Sequence, residues 1–336
     1  MVLYKHDTIS FKKSKIKIYD FIITILLIVL ILIILLNPTK YAKSTIDGFM
    51  LFAMNVFPTL FPFIFLSKIL TSLQTPLTMS SKLQKLAHKI FHAPSSIIYV
   101  YFISILCGYP IGAKLTSDLV NNKTIRAQDA KTFTYYCSTS GVLFVIGTIG
   151  TIMFKSARIG IIIYISHIIG CFLGGLILSR LDKKTDIYEK PFTLTQNQNL
   201  ISSSVSSSIN SILIVGAYIT LFALFIQILC DLTLVQYINS MLGKLLELCG
   251  LNSNLASGIF NGIFEMTNGC KSLSLFTSNA SVAFAAALIS FGGISIILQS
   301  HTFLQNTQIK TCTLVFTKLV HAIITFIICN IFLFIF

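Results

Sequence analysis

The stretch "LCGYPIGAKLTSD" (Leu106–Asp118) decides how the rest of the chain is read. It lies in an apolar region, yet it sets Gly108, Pro110 and Gly112 where a membrane helix would run unbroken, and follows them with Lys114. A proline in a helix interior costs about 3 kcal/mol and a glycine about 1. A lysine near mid-bilayer costs roughly 2.5–3.5 kcal/mol on insertion scales. Broken backbone at membrane depth is tolerated only where protein or a wet cavity satisfies its N–H and C=O groups. The stretch therefore predicts an interrupted, re-entrant segment that faces a cavity rather than lipid.

Composition agrees with a membrane setting. Of 336 residues, 54% are hydrophobic and only 11% are charged, against about 25% charged in soluble domains. Long apolar runs recur from end to end, which makes the chain an all-α polytopic membrane protein without a soluble domain. The formal net charge of +14 does not point to nucleic acid. The basic residues cluster in short loops between apolar runs, as the positive-inside rule expects. The 8 cysteines form no CxxC pair and fall mostly in apolar segments, so they read as packing thiols. His88 and His92 share an i,i+4 spacing, but their stretch reads more simply as a basic amphipathic helix on the membrane surface. No metal site, cofactor or enzymatic motif is expected: HExxH and GxSxG are both missing from the sequence.

The segments fall into an order. A basic N-terminus (1–18), expected in the cytoplasm, precedes an anchor helix and loop (19–46) with the apolar run "FIITILLIVLILIILL" (21–36). No small-residue cleavage site follows that run directly, which favours an uncleaved anchor over a signal peptide. A first repeat (47–180) holds a span at 47–73, a surface helix at 81–92, the broken segment at 95–121, and spans at 131–153 and 159–179. A polar linker (181–200) leads to a second repeat (201–336), with a span at 205–230, an amphipathic segment at 233–248, a second interrupted segment at 255–276, and spans at 281–299 and 312–335.

The two interrupted segments align without gaps. "GYPIGAK" (108–114) lies on "EMTNGCK" (265–271) at an offset of 157, with Gly112 on Gly269 and Lys114 on Lys271. Two identities in seven carry little alone, but the flanking order is the same in each half. Internal repeats with broken helices mark secondary transporters. If each broken segment returns to its own side, each half crosses three times and the second half is inverted relative to the first. With the anchor that makes seven crossings. Sixteen lysines and arginines then fall inside and five outside, and the chain ends outside at Phe336.

These residues suggest a site. Helix ends facing a cavity expose free N–H groups and a partial positive charge. Lys114 and Lys271, set by mirrored breaks, would face each other across a central site and suit a small anionic molecule with two carboxylates. Glu265 is the one acidic residue deep in an apolar segment and could pair with Lys271, take a proton or hold a sodium ion. Thr267 and Asn268 add hydrogen-bonding groups, Tyr109 adds a ring and a hydroxyl, and Ser140 lies in the facing "YYCSTSG" (135–141). The substrate-binding candidates are thus Gly108, Tyr109, Pro110, Gly112, Lys114, Ser140, Glu265, Thr267, Asn268, Gly269 and Lys271. The plainer alternative has both lysines reaching an interface and the glycines only packing helices.

"CGYPIGAK" and "GIFEMTNG" resemble the paired signatures of the YlbJ sporulation integral membrane proteins, also called SpoVV. That family is part of the wider nucleoside-recognition, or Gate, membrane group, which is related to concentrative nucleoside transporters. The resemblance covers roughly 45–336 and makes 47–180 and 201–336 two Gate-like repeats. It implies a multi-pass protein of the outer forespore membrane of a sporulating bacterium. It also implies a role in moving dipicolinic acid, an aromatic ring with two carboxylates. Homo-oligomers and sporulation partner proteins are what the wider group suggests as protein partners, beside the lipid bilayer. Cys107 stands where the family is expected to carry Ser, and the central linker is brief. Two other readings compete: a carrier of nucleosides or other small solutes, and a sporulation membrane scaffold that transports nothing.

Overall fold

The computed structural model describes residues 18–73, 82–182, 187–188, 200–276 and 278–335. The basic N-terminus up to residue 17, most of the polar linker and Phe336 lie outside the described residues. The regular elements are all helical among the described residues. The chain forms two compact units, residues 1–43 and 44–336. The first contains α1 (Ile18–Leu36), an apolar helix whose side chains are almost all exposed, as a lipid-facing segment requires. Everything from Ser44 onward forms the second unit.

The first half of that unit begins within α2 (Pro38–Leu51), which runs through a π-helical turn at Phe52–Val56 into α3 (Phe57–Ser72). A short helix α4 (Gln84–Phe91) meets α5 (Ser96–Cys107) at a 73° bend. The helix then stops at Gly108 and resumes as α6 (Ile111–Asn121). The next apolar stretch is broken too, into α7 (Ala130–Tyr136) and the π-helical α8 (Phe144–Met153). A long helix α9 (Ala157–Leu181) closes the half.

The second half repeats this order. A long helix α10 (Leu200–Cys230) is followed by the amphipathic α11 (Thr233–Leu248). A broken pair comes next, α12 (Leu255–Phe264) and α13 (Met266–Leu273), interrupted at Glu265. Another follows, α14 (Asn279–Phe291) and α15 (Gly293–Phe303), interrupted at Gly292. The half ends on a long helix α16 (Thr311–Ile335).

Among the described residues, five stretches are long and apolar enough to cross a membrane: Pro38–Leu70, Ala157–Leu181, Leu200–Cys230, Asn279–Phe303 and Thr311–Ile335. The bent pair Gln84–Phe91 with Ser96–Cys107 would make six. Two of the seven crossings expected from sequence differ. The anchor's apolar helix covers only Asp20–Leu36. The span expected at 131–153 is divided between α7 and α8, because residues 137–141 leave the helix.

Close helix contacts depend on glycine. Gly170 and Gly174, one turn apart on α9, lie against Thr325 and His321 of α16. A Cβ on Gly174 would sit 2.6 Å from His321 Cδ2. Small residues at this spacing let two membrane helices approach without a hydrophobic driving force between them. Beside this seam, Ser290 of α14 links His167 of α9 to Thr325 of α16.

Candidate functional site

The breaks converge on one place. Gly108 has φ +84°, a conformation open to glycine at little cost, and its α-carbon packs directly on the backbone of Gly141. The break between α5 and α6 thus rests on the break between α7 and α8. In the second half the same relation recurs. A Cβ on Gly293 would lie 3.0 Å from both the Gly262 and the Phe264 carbonyl oxygens, so the break at Gly292 rests on the break at Glu265.

A cavity lies among them. Its polar side is formed by Gly108, Tyr109, Ser140, Gly141, Glu265 and Thr267. Its apolar side is formed by α3, α10 and α15, through residues such as Leu60, Val215 and Ile296. In this conformation the free volume is about 30 Å³. That admits water but is well below the roughly 300–1,000 Å³ of a typical small-molecule pocket. A ligand larger than water therefore does not fit the cavity in this conformation.

Glu265 is 1% exposed. Its backbone is extended (φ −143°, ψ 114°) and its carboxylate caps α13. Oε1 accepts from the Thr267 N–H at 3.0 Å and Oε2 from the Asn268 N–H at 2.8 Å. Both are orphan donors of the helix N-terminus, where a negative charge is favoured. Among the described residues, no ion pair engages Glu265.

Tyr109 belongs to the same polar side. Its hydroxyl donates toward Met266 Sδ at 2.8 Å and the Ile289 carbonyl at 3.1 Å. Behind its ring stands Lys318 of α16, with Nζ 4.6 Å from the ring centroid. This ammonium is 2% exposed. It donates to the Ser138 carbonyl at 2.7 Å, and no acidic partner meets it among the described residues.

The backbone released at residues 135–141 is held by α9 and α16. Besides the Lys318 bond, His321 Nε2–H donates to the Tyr135 carbonyl at 3.0 Å. The Ser140 N–H donates to His167 Nε2 at 2.7 Å. That bond places the His167 proton on Nδ1, which lies 2.7 Å from Ser290 Oγ, and Ser290 in turn donates to Thr325 Oγ1 at 2.8 Å. Side chains of neighbouring helices thus supply what the missing helical bonds would have supplied, as non-helical backbone at membrane depth requires.

The expected site residues separate into two groups. Gly108, Tyr109, Ser140, Glu265 and Thr267 line the cavity. Asn268 offers its backbone N–H to Glu265, and Pro110 leads into α6. Gly112 and Gly269 sit at the crossings of the two hairpins, where Gly112 packs on Ser104 and Gly269 on Gly262.

The two lysines do not line the cavity. Lys114 is half-buried on α6 and donates to the Ser207 carbonyl at 3.2 Å, Ser207 Oγ at 3.1 Å and Ser211 Oγ. Lys271 is exposed. The buried face of α13 carries Met266, Thr267, Gly269, Cys270 and Leu273, and a turn of about 100° per residue carries Lys271 to the other side. The expectation that they face each other across the site does not hold in this conformation. Lys318, His167 and His321 take the polar positions instead. Their signal in the sequence is slight: Lys318 and His321 are three apart, one helical face, opposite the glycines of "GCFLG" (170–174).

The chain is 25% identical over 299 residues to the "Sporulation integral membrane protein YlbJ" of Bacillus subtilis (strain 168), a match that covers 82% of this chain and 73% of that protein. No family model matches the chain. No solved structure matches it either.

Proposed function

We propose, on the premise that the chain is a sporulation integral membrane protein of the YlbJ family, that it is a carrier or facilitator of dipicolinic acid rather than an enzyme. It would act in the outer forespore membrane during endospore formation. One observation carries the transport reading. Three interruptions of the helical backbone, two from the first half and one from the second, line one small cavity, and the fourth, at Gly292, packs against the third. Discontinuous helices at the interface of two repeats are how secondary transporters build a binding site. The repeated element order supports an inverted pair of repeats with the cavity between them.

The ring of Tyr109 in the cavity wall suits a planar aromatic ligand. A second reading is favoured by Glu265, the ionisable carboxyl of the lining. An anionic carboxylate there accepts hydrogen bonds and suits the hydroxyl and N–H donors of a nucleoside better than a second anion. With Lys114 and Lys271 away from the cavity, they no longer favour a dianion over a neutral solute.

A replacement experiment tests the reading. The chain is expressed in B. subtilis in place of YlbJ, and dipicolinate is measured in purified spores. Restored dipicolinate relative to a strain with neither protein is expected. Equal dipicolinate in both strains would overturn the reading.

A further inference from the structure

Lys318 is more than the backbone at residues 137–141 requires. A neutral amide could also donate to the Ser138 carbonyl, by a weaker bond than a charged donor makes, so satisfying that carbonyl does not by itself call for a charge. A charge within an apolar helix bundle is costly unless a partner meets it. Here Nζ spends one N–H on Ser138 and lies 4.6 Å from the centroid of the Tyr109 ring, which itself lines the cavity. A cation against an aromatic face is stabilised, more so away from water, but the ring leaves the charge without a counter-ion. Among the described residues no carboxylate lies within 4 Å of it.

We infer that Lys318 is the anion-binding group of this site: an ammonium screened from the closed cavity by Tyr109, which a ligand carboxylate meets when that ring turns aside. The inference rests on the carrier reading for its ligand class and goes beyond it in naming the residue. It returns a cation to the site at a position that neither broken segment supplies. It also assigns Tyr109 a second role, as the movable partition between the cavity and its charge. A carboxylate of the ligand would replace the aromatic face as the partner of Nζ, while the bond to Ser138 stays. Glu265 lies on the cavity wall beside Met266, the residue that the Tyr109 hydroxyl touches. Movement of Tyr109 therefore breaks a contact at the opposite break as well.

The test separates charge from structure. Purified protein in detergent is titrated with dipicolinate and with benzoate, for wild type, Lys318→Gln and Lys318→Arg. Gln keeps a donor for Ser138 without the charge, and Arg keeps the charge. Melting of Lys318→Gln within a few degrees of wild type, with dipicolinate binding weakened about tenfold or more, is expected, as is binding by Lys318→Arg within about threefold. Undiminished binding by Lys318→Gln overturns the inference. A second measurement does not depend on dipicolinate: reductive methylation of Lys318 in Tyr109→Ala, read by peptide mass. Labelling should rise above wild type and fall again with dipicolinate or benzoate. If wild type binds no dipicolinate but benzoate protects Lys318, the substrate reading fails and the anion site stands. If neither anion changes the labelling, the anion site is overturned.

Discussion

The hydroxyl of Tyr109 lies 2.8 Å from Met266 Sδ, a contact between residues 157 positions apart. That separation equals the offset at which the two broken segments align in sequence. Residues at equivalent positions of two repeats touch only where the axis that relates the repeats passes. The contact therefore supports a two-fold relation between the halves, with its axis at the cavity, and it joins the two broken segments through one side chain.

Topology gives the first prediction. In an inverted pair, the loop after α11 faces outward and the start of α16 faces inward. Cys249 and Cys312 are exposed native thiols at these two places. A membrane-impermeant maleimide applied to intact cells should label Cys249 and spare Cys312 until the membrane is permeabilised. Labelling of both from one side would rule out the inverted arrangement.

Glu265 supplies the second. In Glu265→Ala the buried N–H groups of Thr267 and Asn268 lose their acceptors. An unsatisfied buried donor costs about 1–3 kcal/mol, so thermal melting in detergent should fall by several degrees. Glu265→Gln retains an acceptor oxygen and should lose less than half as much stability. Equal melting for wild type and Glu265→Ala would show that the carboxylate does not cap α13.

The seam between α9 and α16 gives the third. Gly174→Val places side-chain atoms where His321 lies, and overpacking of a tight contact costs about 1–3 kcal/mol or more. The yield of monodisperse protein should fall. Gly147→Ala is the control, since its Cβ would meet only Leu143 Cδ1 at an ordinary 3.6 Å, and its yield should match wild type. Equal losses in both would remove the special role of the seam.

Much of this architecture is legible in the sequence, and the reasons differ from place to place. The break at 108–110 is legible because glycine and proline cannot continue a helix. The break at Glu265 is legible only by alignment with the first, since the residue itself ends the helix by an extended backbone and a capping carboxylate. Gly108, Tyr109, Glu265 and Thr267 follow from those breaks and Ser140 from the small polar run "YYCSTSG" (135–141), and all five line the cavity. The placement of the lysines was not legible. Hydropathy locates a helix in the membrane but leaves its rotation free, and rotation separates the exposed Lys271 from the buried Lys318. His167 was hidden for the same reason: only the folded chain shows that the Ser140 N–H needs it.

Tyr109 gives the fourth prediction. Tyr109→Phe removes the hydroxyl's contacts to Met266 and Ile289 and keeps the ring over Lys318. A typical net hydrogen bond is worth about 0.5–1.5 kcal/mol, so solute uptake should change by about tenfold or less. Tyr109→Ala removes the partition itself and should alter uptake by more than Tyr109→Phe does. The reverse order would place the importance of Tyr109 in its hydroxyl alone.

The most direct measurement is counterflow in proteoliposomes. Vesicles loaded with unlabelled dipicolinate and reconstituted with the purified protein are given labelled dipicolinate or labelled uridine outside. The account predicts saturable exchange of dipicolinate, absent from protein-free vesicles, and little exchange of uridine. Exchange of uridine alone, or of neither solute by protein that is inserted and folded, would contradict it.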